Sequence, residues 1–289
     1  MGKTFGWVLA LVAAIMCSLD SQAAVIYSTV GSPYTQNFDS LPIATENASL
    51  GASPIGWTDD NAGPGVGNFS IVGWYLYHPT TQSEGGFNNH QRMRIGAGTA
   101  NTGAFMSFGA STVSERALGT VGSNTLVASN GDIFYGLRLT NNTGVTLGEF
   151  TLSYTAEQWR DGGTSTTGSV AQSVAFAYKT TNGAANLQDT GFTSEPLLGF
   201  TSPKFGALAG TALDGNLPAN RVAVSYTVTG LSWASGDDLW LRWADPDHPS
   251  NDHGLGIDDV SFSAQIPEPA SASLLALATI GAIVQRRRS

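Results

Sequence analysis

The sequence predicts an all-β fold, a two-sheet antiparallel jelly-roll sandwich. Of its 289 residues, 35 are glycine and only 12% are charged, a composition that suits strands and turns rather than helical bundles. Apolar residues alternate with polar ones, and no segment of residues 25–266 keeps a helical period over three turns. A hydrophobic content of 42% is enough for a core, so the chain is not expected to be disordered.

Six strands are predicted between residues 132 and 263. They are bounded by turn residues and show the two-residue period of a half-buried sheet. No helix-length crossover separates them, so neighbouring strands should be antiparallel. Residues 25–130 contain more Gly, Asn and Pro and are expected to form longer loops. The predicted strands cover residues 132–140, 150–155, 173–178, 222–228, 239–244 and 257–263.

The first 24 residues have the pattern of a secretory signal peptide. The apolar run from Phe5 to Leu19 is too short for a comfortable membrane span, and the small residues of Ser21-Gln22-Ala23 predict signal-peptidase cleavage after Ala23 or Ala24. Cleavage there removes Cys17, the only cysteine of the chain. The mature protein is therefore expected to be exported and to have no disulfide, so its stability depends on its core or on a metal.

The C-terminus has three parts in a fixed order. A Pro-Glu-Pro segment ends the last strand because proline lacks the amide donor. An apolar stretch at about 270–284 follows, as for a short transmembrane helix, and an arginine cluster then holds its end on the cytoplasmic side. The residues of the first and third parts are Pro267, Glu268, Pro269, Arg286, Arg287 and Arg288.

This tripartite tail, residues 265–289, resembles the PEP-CTERM sorting signal. In that family an exosortase, a membrane transpeptidase-like enzyme of Gram-negative bacteria that make exopolysaccharide, recognises the tail. The resemblance implies transient membrane anchoring, cleavage near Pro-Glu-Pro, and delivery to the cell surface or extracellular matrix. Signal peptidase and exosortase are then partners during export, and residues 25–264 form the β-sandwich domain.

The charge of the chain bears on its partners. The whole chain has 13 basic and 22 acidic residues. The two terminal segments hold four of the basic residues but only two of the acidic ones, so the body has a net charge of about −11. Such a surface repels phosphate backbones, which makes a nucleic-acid partner unexpected, and it suits divalent cations.

Two polar segments stand out within the body. One runs from Tyr154 to Gly163 and contains Glu-Gln-Trp-Arg, and the other runs from Leu241 to Phe262 and contains Arg-Trp and Ile-Asp-Asp-Val-Ser. Over residues 130–264 the chain resembles a β-sandwich family of unassigned function that is common in PEP-CTERM proteins. The closing strand also resembles the end of MAM and carbohydrate-binding-module jelly rolls, whose architecture is concanavalin-like. The resemblance implies no established activity.

Asp258 is the first candidate site residue. By strand alternation it shares a face with Val260 and Phe262, which points its carboxylate inward. An isolated buried charge is prohibitively costly, so the carboxylate must be paired or bound to a metal. A salt bridge to Arg160 or Arg242 is the simpler interpretation.

A metal site is the alternative. Ca²⁺ takes six to eight oxygen ligands from flexible loops, although the spacing here does not match an EF-hand. A transition-metal site that uses imidazole is a further alternative. The candidate partners of Asp258 are Asp245, Asp247 and Asp252 for calcium, with His248 and His253 added for a transition metal.

Trp159 and Glu157 form the second candidate site. Both residues lie on the face opposite Phe150 and Leu152, so the indole is expected on an outer or concave sheet face. A flat aromatic ring beside carboxylates and amides suits contact with a sugar. The alternative is that loops cover Trp159 and that Glu157 pairs with an arginine.

Signatures of catalysis are missing from the sequence, and we expect the protein not to be an enzyme. It has no nucleophile elbow, zinc-protease motif or phosphate loop, and Glu84, Glu115 and Glu157 are scattered along the chain. The leading hypothesis is a structural or adhesive protein of an exopolysaccharide layer. The alternatives are a carbohydrate-binding module that uses Trp159 to hold extracellular polysaccharide, and a secreted hydrolase.

Overall fold

The architecture is all-β, as the sequence predicts. A computed structural model describes residues 24–43, 55–56, 71–77, 92–101, 103–110, 113–122 and 132–266. In these ranges the strands form two sheets, and the helical elements are two 3₁₀ turns, Pro196–Leu198 and Pro218–Asn220. Most of the predicted signal peptide, Glu84 and the tail from Pro267 onward lie outside these ranges.

The first sheet contains seven strands within the described ranges, numbered here in chain order through the domain. Its central strands are long and its outer strands are short, so the interior of the sheet is well protected. The spatial order is β1 (Val25–Tyr27), β8 (Asp132–Asn141), β15 (Asp238–Pro246), β10 (Ser173–Thr181) and β11 (Thr193–Ser194), with β4 (Trp74–Tyr77) also pairing β8 and β12 (Phe200–Thr201) also pairing β10.

The second sheet contains nine strands in the described part of the chain. Its two longest pairings join β9 to β14 and β9 to β16. The spatial order is β13 (Thr211–Ala212), β9 (Leu147–Asp161), β16 (Gly254–Gln265), β7 (Ala117–Val121), β6 (Ala104–Phe108), β5 (Arg92–Gly96) and β3 (Ile55–Gly56), with β14 (Arg221–Trp233) also pairing β9 and β2 (Tyr34–Gln36) also pairing β16.

All six predicted strands are present, as β8, β9, β10, β14, β15 and β16. They pair antiparallel, as expected for strands without helical crossovers. Two pairs elsewhere are parallel, β1 with β8 and β5 with β6. The N-terminal strand β1 reaches β8 through a long connection, and such a connection permits parallel pairing.

The core lies between the two sheets and is rich in aromatic side chains. Trp243 of β15 is fully buried at its centre. Its ring stacks on Trp74 at 5.7 Å and on Tyr135 at 5.8 Å within the first sheet. It also meets Phe176 edge-on at 5.2 Å, and Tyr154 of the second sheet edge-on at 5.6 Å. The edge-on contact with Tyr154 therefore joins the two sheets, and residues 25–266 contain no cysteine that could do so.

Trp243→Ala is expected to destabilise the full chain by about 3–5 kcal/mol, because it leaves a cavity against four other aromatic rings. The matched control is Phe205→Ala, at an aromatic residue that is 61% exposed. That control should change stability by no more than about 0.5 kcal/mol. Urea denaturation followed by tryptophan fluorescence measures both. Equal, small effects of the two substitutions would show that this cluster is not central to the core.

Candidate functional site

Trp159 lies on the outer face of the nine-stranded sheet, opposite the face of Phe150 and Leu152, as strand alternation predicts. Its side chain is nevertheless only 1% exposed. The indole stacks on Phe108 with a ring separation of 6.0 Å, within a second, smaller apolar cluster. Trp159 therefore points away from the main core but is buried in a second apolar cluster on the outer face of the sheet.

One glycine packs against this indole, and a second packs against the backbone of the same residue. A Cβ atom built on Gly215 would lie 2.4 Å from Trp159 Nε1, so this glycine packs directly against the ring. Gly98, with φ of +84°, approaches the Trp159 carbonyl so closely that a Cβ there would lie 1.7 Å from its oxygen. Loops cover the ring, and it presents no free face to a sugar.

Glu157 lies beside Trp159 on the same outer face. The Trp159 indole Nε1 donates a hydrogen bond of 2.9 Å to Glu157 Oε2, and Glu157 is 2% exposed. Burial raises the pKa of Glu157 to about 7, the hydrogen bond from Trp159 opposes that rise, and the carboxylate of Glu115 adds to it. Arg221 lies opposite Glu157 on β14, and its charge lowers the pKa only in part.

Asp258 is buried, but on the other face from the one that alternation indicates. A β-bulge interrupts the pairing of β16 with β9 between Asp258 and Ser261, and Asp259 has a φ of +51°. The extra residue reverses the alternation. Val260 and Phe262 therefore point into the core between the sheets, whereas Asp258 points to the outer face beside Glu157.

Glu115, Glu157 and Asp258 form what we call the carboxylate cluster. Each offers one oxygen, and these oxygens all lie within 4.8 Å of one another. Burial raises the pKa of Asp258 to about 9; a backbone hydrogen bond from Asp259 opposes this, and the charges of Asp259, Glu157 and Glu115 increase it. The Asn216 side-chain amide donates a hydrogen bond to Glu115 Oε2. The cluster thus crowds acidic groups together in a buried place, which favours their protonated forms.

The arginines expected to pair with Asp258 lie elsewhere. Arg160 donates hydrogen bonds to the carbonyl oxygens of Gly98 and Thr99, at 3.2 and 3.3 Å. Arg242 is on β15 in the other sheet, where it donates to the carbonyl oxygen of Leu187 at 2.7 Å. Burial lowers the pKa of both guanidinium groups. Their charges are used to satisfy backbone carbonyls, and Asp258 has neither of them as a partner.

The aspartates proposed to share a metal with Asp258 form a separate group. Asp245 is 2% exposed and accepts a hydrogen bond of 2.5 Å from Thr120 Oγ1. Thr120 shares the inner face of β7 with Leu118, so Asp245 and Asp258 lie on opposite sides of the nine-stranded sheet. Asp252 stays near Asp245, and Asp247 is exposed.

The two histidines take part in hydrogen bonds that hold loops in place. His253 is 1% exposed; its Nδ1 lies 2.8 Å from Gln158 Nε2. His248 Nε2 accepts from the backbone N–H of Ser173 at 3.1 Å, and the His248 backbone donates to Asp252 at 3.0 Å. Burial lowers the pKa of both imidazoles. In the described part of the chain neither histidine joins a group of three metal-ligating side chains.

The outer face of the seven-stranded sheet carries aromatic residues that the sequence analysis did not single out. Tyr77 of β4 stacks on Phe134 of β8 at 5.9 Å, and both are half-buried. The Arg242 guanidinium lies 4.5 Å from the Phe134 ring and 3.9 Å from the Phe192 ring. Alternation in β8 and β15 indicates these outward positions, but only the pairing of the strands brings them together.

Nothing in the described ranges tests the terminal signals. No helix there combines the length and the apolar character required to cross a membrane.

No family model and no curated protein matches the chain. Similar solved structures include the xylan-binding CBM22-1 domain of Xyn10C from Paenibacillus barcinonensis, 11% identical with a TM-score of 0.34 over 83% of this chain and 99% of that domain. TmCBM61, solved with β-1,4-galactotriose, is 7% identical with a TM-score of 0.25 over 54% and 74%. The K3 cleaved adhesin domain of Lys-gingipain from Porphyromonas gingivalis is 16% identical with a TM-score of 0.31 over 54% and 79%. Similarity at this level assigns no function to the chain.

The buried carboxylate of Asp245 predicts a pH dependence of stability. Burial raises its pKa to about 8, above the ordinary value of about 3.9 expected in the unfolded chain. The folded protein therefore binds this proton more tightly. The stabilisation is complete below about pH 4 and is lost as the pH rises through about 8.

Asp245→Asn should remove this contribution while it keeps an acceptor for Thr120. The parent should lose stability as the pH rises from 5 to 8, as measured by urea denaturation. Over the same range Asp245→Asn should lose less stability than the parent, by more than about 1 kcal/mol. Asp39→Asn, at an exposed turn in another part of the fold, is the control and should follow the parent curve. If the stability of the parent and that of Asp245→Asn changed equally with pH, the raised pKa of Asp245 would be contradicted.

Proposed function

We propose that the protein is an exported, non-catalytic β-sandwich protein of the cell surface or extracellular matrix, with a structural or adhesive role. The signal-peptide pattern, the PEP-CTERM-like tail and the acidic body support export, and the two-sheet body is consistent with a jelly roll. The observation that carries the proposal is that the polar candidate residues are enclosed. Glu157, Trp159, Asp245 and Asp258 are each at most 5% exposed.

The geometry of the carboxylates argues against the hydrolase alternative. Glycosidases need two carboxylates about 5–10 Å apart that flank an open cleft. The carboxylate cluster has oxygens within 4.8 Å of one another, and two of its three residues are almost fully buried. A polysaccharide cannot be placed between such groups without opening the sheet face. The arrangement is better suited to holding the fold together.

The proposed route uses signal peptidase at the N-terminus and an exosortase at the tail, with transient anchoring in the membrane. The Pro-Glu-Pro segment provides the recognition element, and the arginine cluster keeps the C-terminal end on the cytoplasmic side until cleavage. The cell that makes the protein is then a Gram-negative bacterium, and the released domain joins the surface or the matrix.

Replacement of Pro267, Glu268 and Pro269 by alanine in the full chain should block tail processing. In a host that contains an exosortase, the parent is expected to be shortened and to reach the surface or medium, whereas the variant stays full-length in the membrane fraction. Ser271→Ala, just beyond the motif, is the control and should be processed normally. Fractionation followed by intact-mass measurement tests this, and retention of the parent in the cytosol would overturn the proposal.

Polysaccharide binding is a second candidate function, and the aromatic outer face of the seven-stranded sheet favours it. Phe134 and Phe192 are half-buried and lie beside the Arg242 guanidinium, and half-buried Tyr77 stacks on Phe134. Aromatic rings with adjacent polar groups suit the apolar faces and hydroxyl groups of sugars. Because Trp159 is covered, this face replaces it as the candidate glycan surface.

Phe134→Ala is expected to weaken adsorption of the full chain to insoluble polysaccharides about tenfold, since one aromatic contact is worth about 1.4 kcal/mol at most. Phe205→Ala, at an aromatic residue that is 61% exposed elsewhere, is the control and should bind like the parent. Trp159→Phe should also bind normally. Failure of the parent to bind any polysaccharide tested would exclude this second function.

A further inference from the structure

The carboxylate cluster has an unbalanced charge. Glu115, Glu157 and Asp258 bring their oxygens together, and the charge of Asp259 acts on both Glu157 and Asp258. Arg221 is the cationic group whose charge acts on Glu157 in the described part of the chain. Three carboxyl groups thus crowd together in a buried place where ionising all of them is costly, and a cation would favour their ionised form.

The hydrogen bonding of the cluster is also incomplete. Asp258 is only 5% exposed to solvent, and its Oδ1 atom has no hydrogen-bond partner. Glu115 Oε1 is buried and unpartnered as well. The other carboxylate oxygens are held in place, since Trp159 donates to Glu157 and Asn216 donates to Glu115. Two acceptor atoms therefore lack a donor in a group whose other contacts orient it.

We propose that Glu115, Glu157 and Asp258 bind one Ca²⁺ ion that links β9, β16 and the residues before β7 on the outer face of the nine-stranded sheet. The site shares only Asp258 with the calcium site that the sequence suggested. It adds a structural cation to the proposed function and does not depend on export or adhesion.

The ligand set and its spacing identify the class of ion. Carboxylates without imidazole or thiolate select a hard cation. Calcium binds oxygen at 2.3–2.6 Å, so ligands on opposite sides of the ion are about 4.6–5.2 Å apart, and three oxygens within 4.8 Å of one another fit around it. Magnesium keeps several of its waters, which suits an open site better than one built from the buried Glu157 and Asp258.

Thermal unfolding of the full chain, purified in mild detergent, tests the site with calcium chloride alone as the probe. Each tenfold increase in free calcium above its Kd should raise the Tm by about 3 °C, and EDTA should reverse the rise. Asp258→Asn should lose this response. In EDTA at neutral pH the variant should be at least as stable as the parent, because it removes one crowded carboxylate.

Matched variants separate the site from general effects of buried acids. Asp245→Asn removes a buried carboxylate outside the cluster and should keep the full calcium response. Glu157→Gln retains an acceptor for the Trp159 N–H and should also lose the calcium response. It replaces Asp258→Asn as the test if that variant does not fold. A calcium response that survives in both cluster variants would overturn the proposal, as would a parent whose Tm is the same in calcium and EDTA. A response to magnesium equal to that to calcium would overturn the choice of ion.

A spectroscopic readout places the ion. Terbium(III) replaces calcium and emits when a nearby tryptophan transfers energy to it, and Trp159 is hydrogen-bonded directly to Glu157. The parent should show tryptophan-excited terbium emission that calcium displaces. Trp159→Phe should lower that emission severalfold while calcium still raises the Tm. Terbium emission that is unchanged in Trp159→Phe would place the bound ion elsewhere and contradict the assignment.

Discussion

Burial of acidic side chains is the constraint on which much of this structure depends. The body of the chain is strongly acidic, and folding removes Glu157, Asp245 and Asp258 from water almost completely. Each of these groups must then take a proton, accept hydrogen bonds or share a cation. Thr120 donates a hydrogen bond to Asp245, and Trp159 donates one to Glu157, whereas one oxygen of Asp258 has no donor. The two faces of the nine-stranded sheet therefore treat a buried carboxylate differently: Asp245 on the inner side has a hydroxyl donor, whereas Asp258 on the outer side has one oxygen without a donor.

The aromatic core provides the stability that offsets the free-energy cost of burying these carboxylates. Stacked and edge-on rings surround Trp243, whose contact with Tyr154 connects the sheets, and a chain with one cysteine has no internal disulfide to add to this interior. A smaller apolar cluster under the loops near Gly98 and Gly215 covers Trp159 on the opposite face. Layers of apolar side chains thus lie on both sides of the nine-stranded sheet, and the carboxylate cluster lies beside the outer one.

Much of the fold, but less of the site, could be predicted from the sequence. Alternating side chains located the six long strands because each strand buries one face, and that period is local. The same rule placed Trp159 on the outer face correctly. It assigned Asp258 to the wrong face, because the bulge at Asp259 reverses the alternation and Asp-Asp does not by itself indicate a bulge. Glu115 joins the cluster through the pairing of distant strands, which no local pattern reports.

Anomalous diffraction from crystals grown with terbium tests the central claim most directly. Our account predicts one strong peak on the outer face of the nine-stranded sheet, with carboxylate oxygens of Glu115, Glu157 and Asp258 about 2.3–2.6 Å from its centre. A map with no peak there, and with the Asp258 carboxyl group instead hydrogen-bonded to Glu157, would contradict it. In that case a shared proton would hold this part of the protein together.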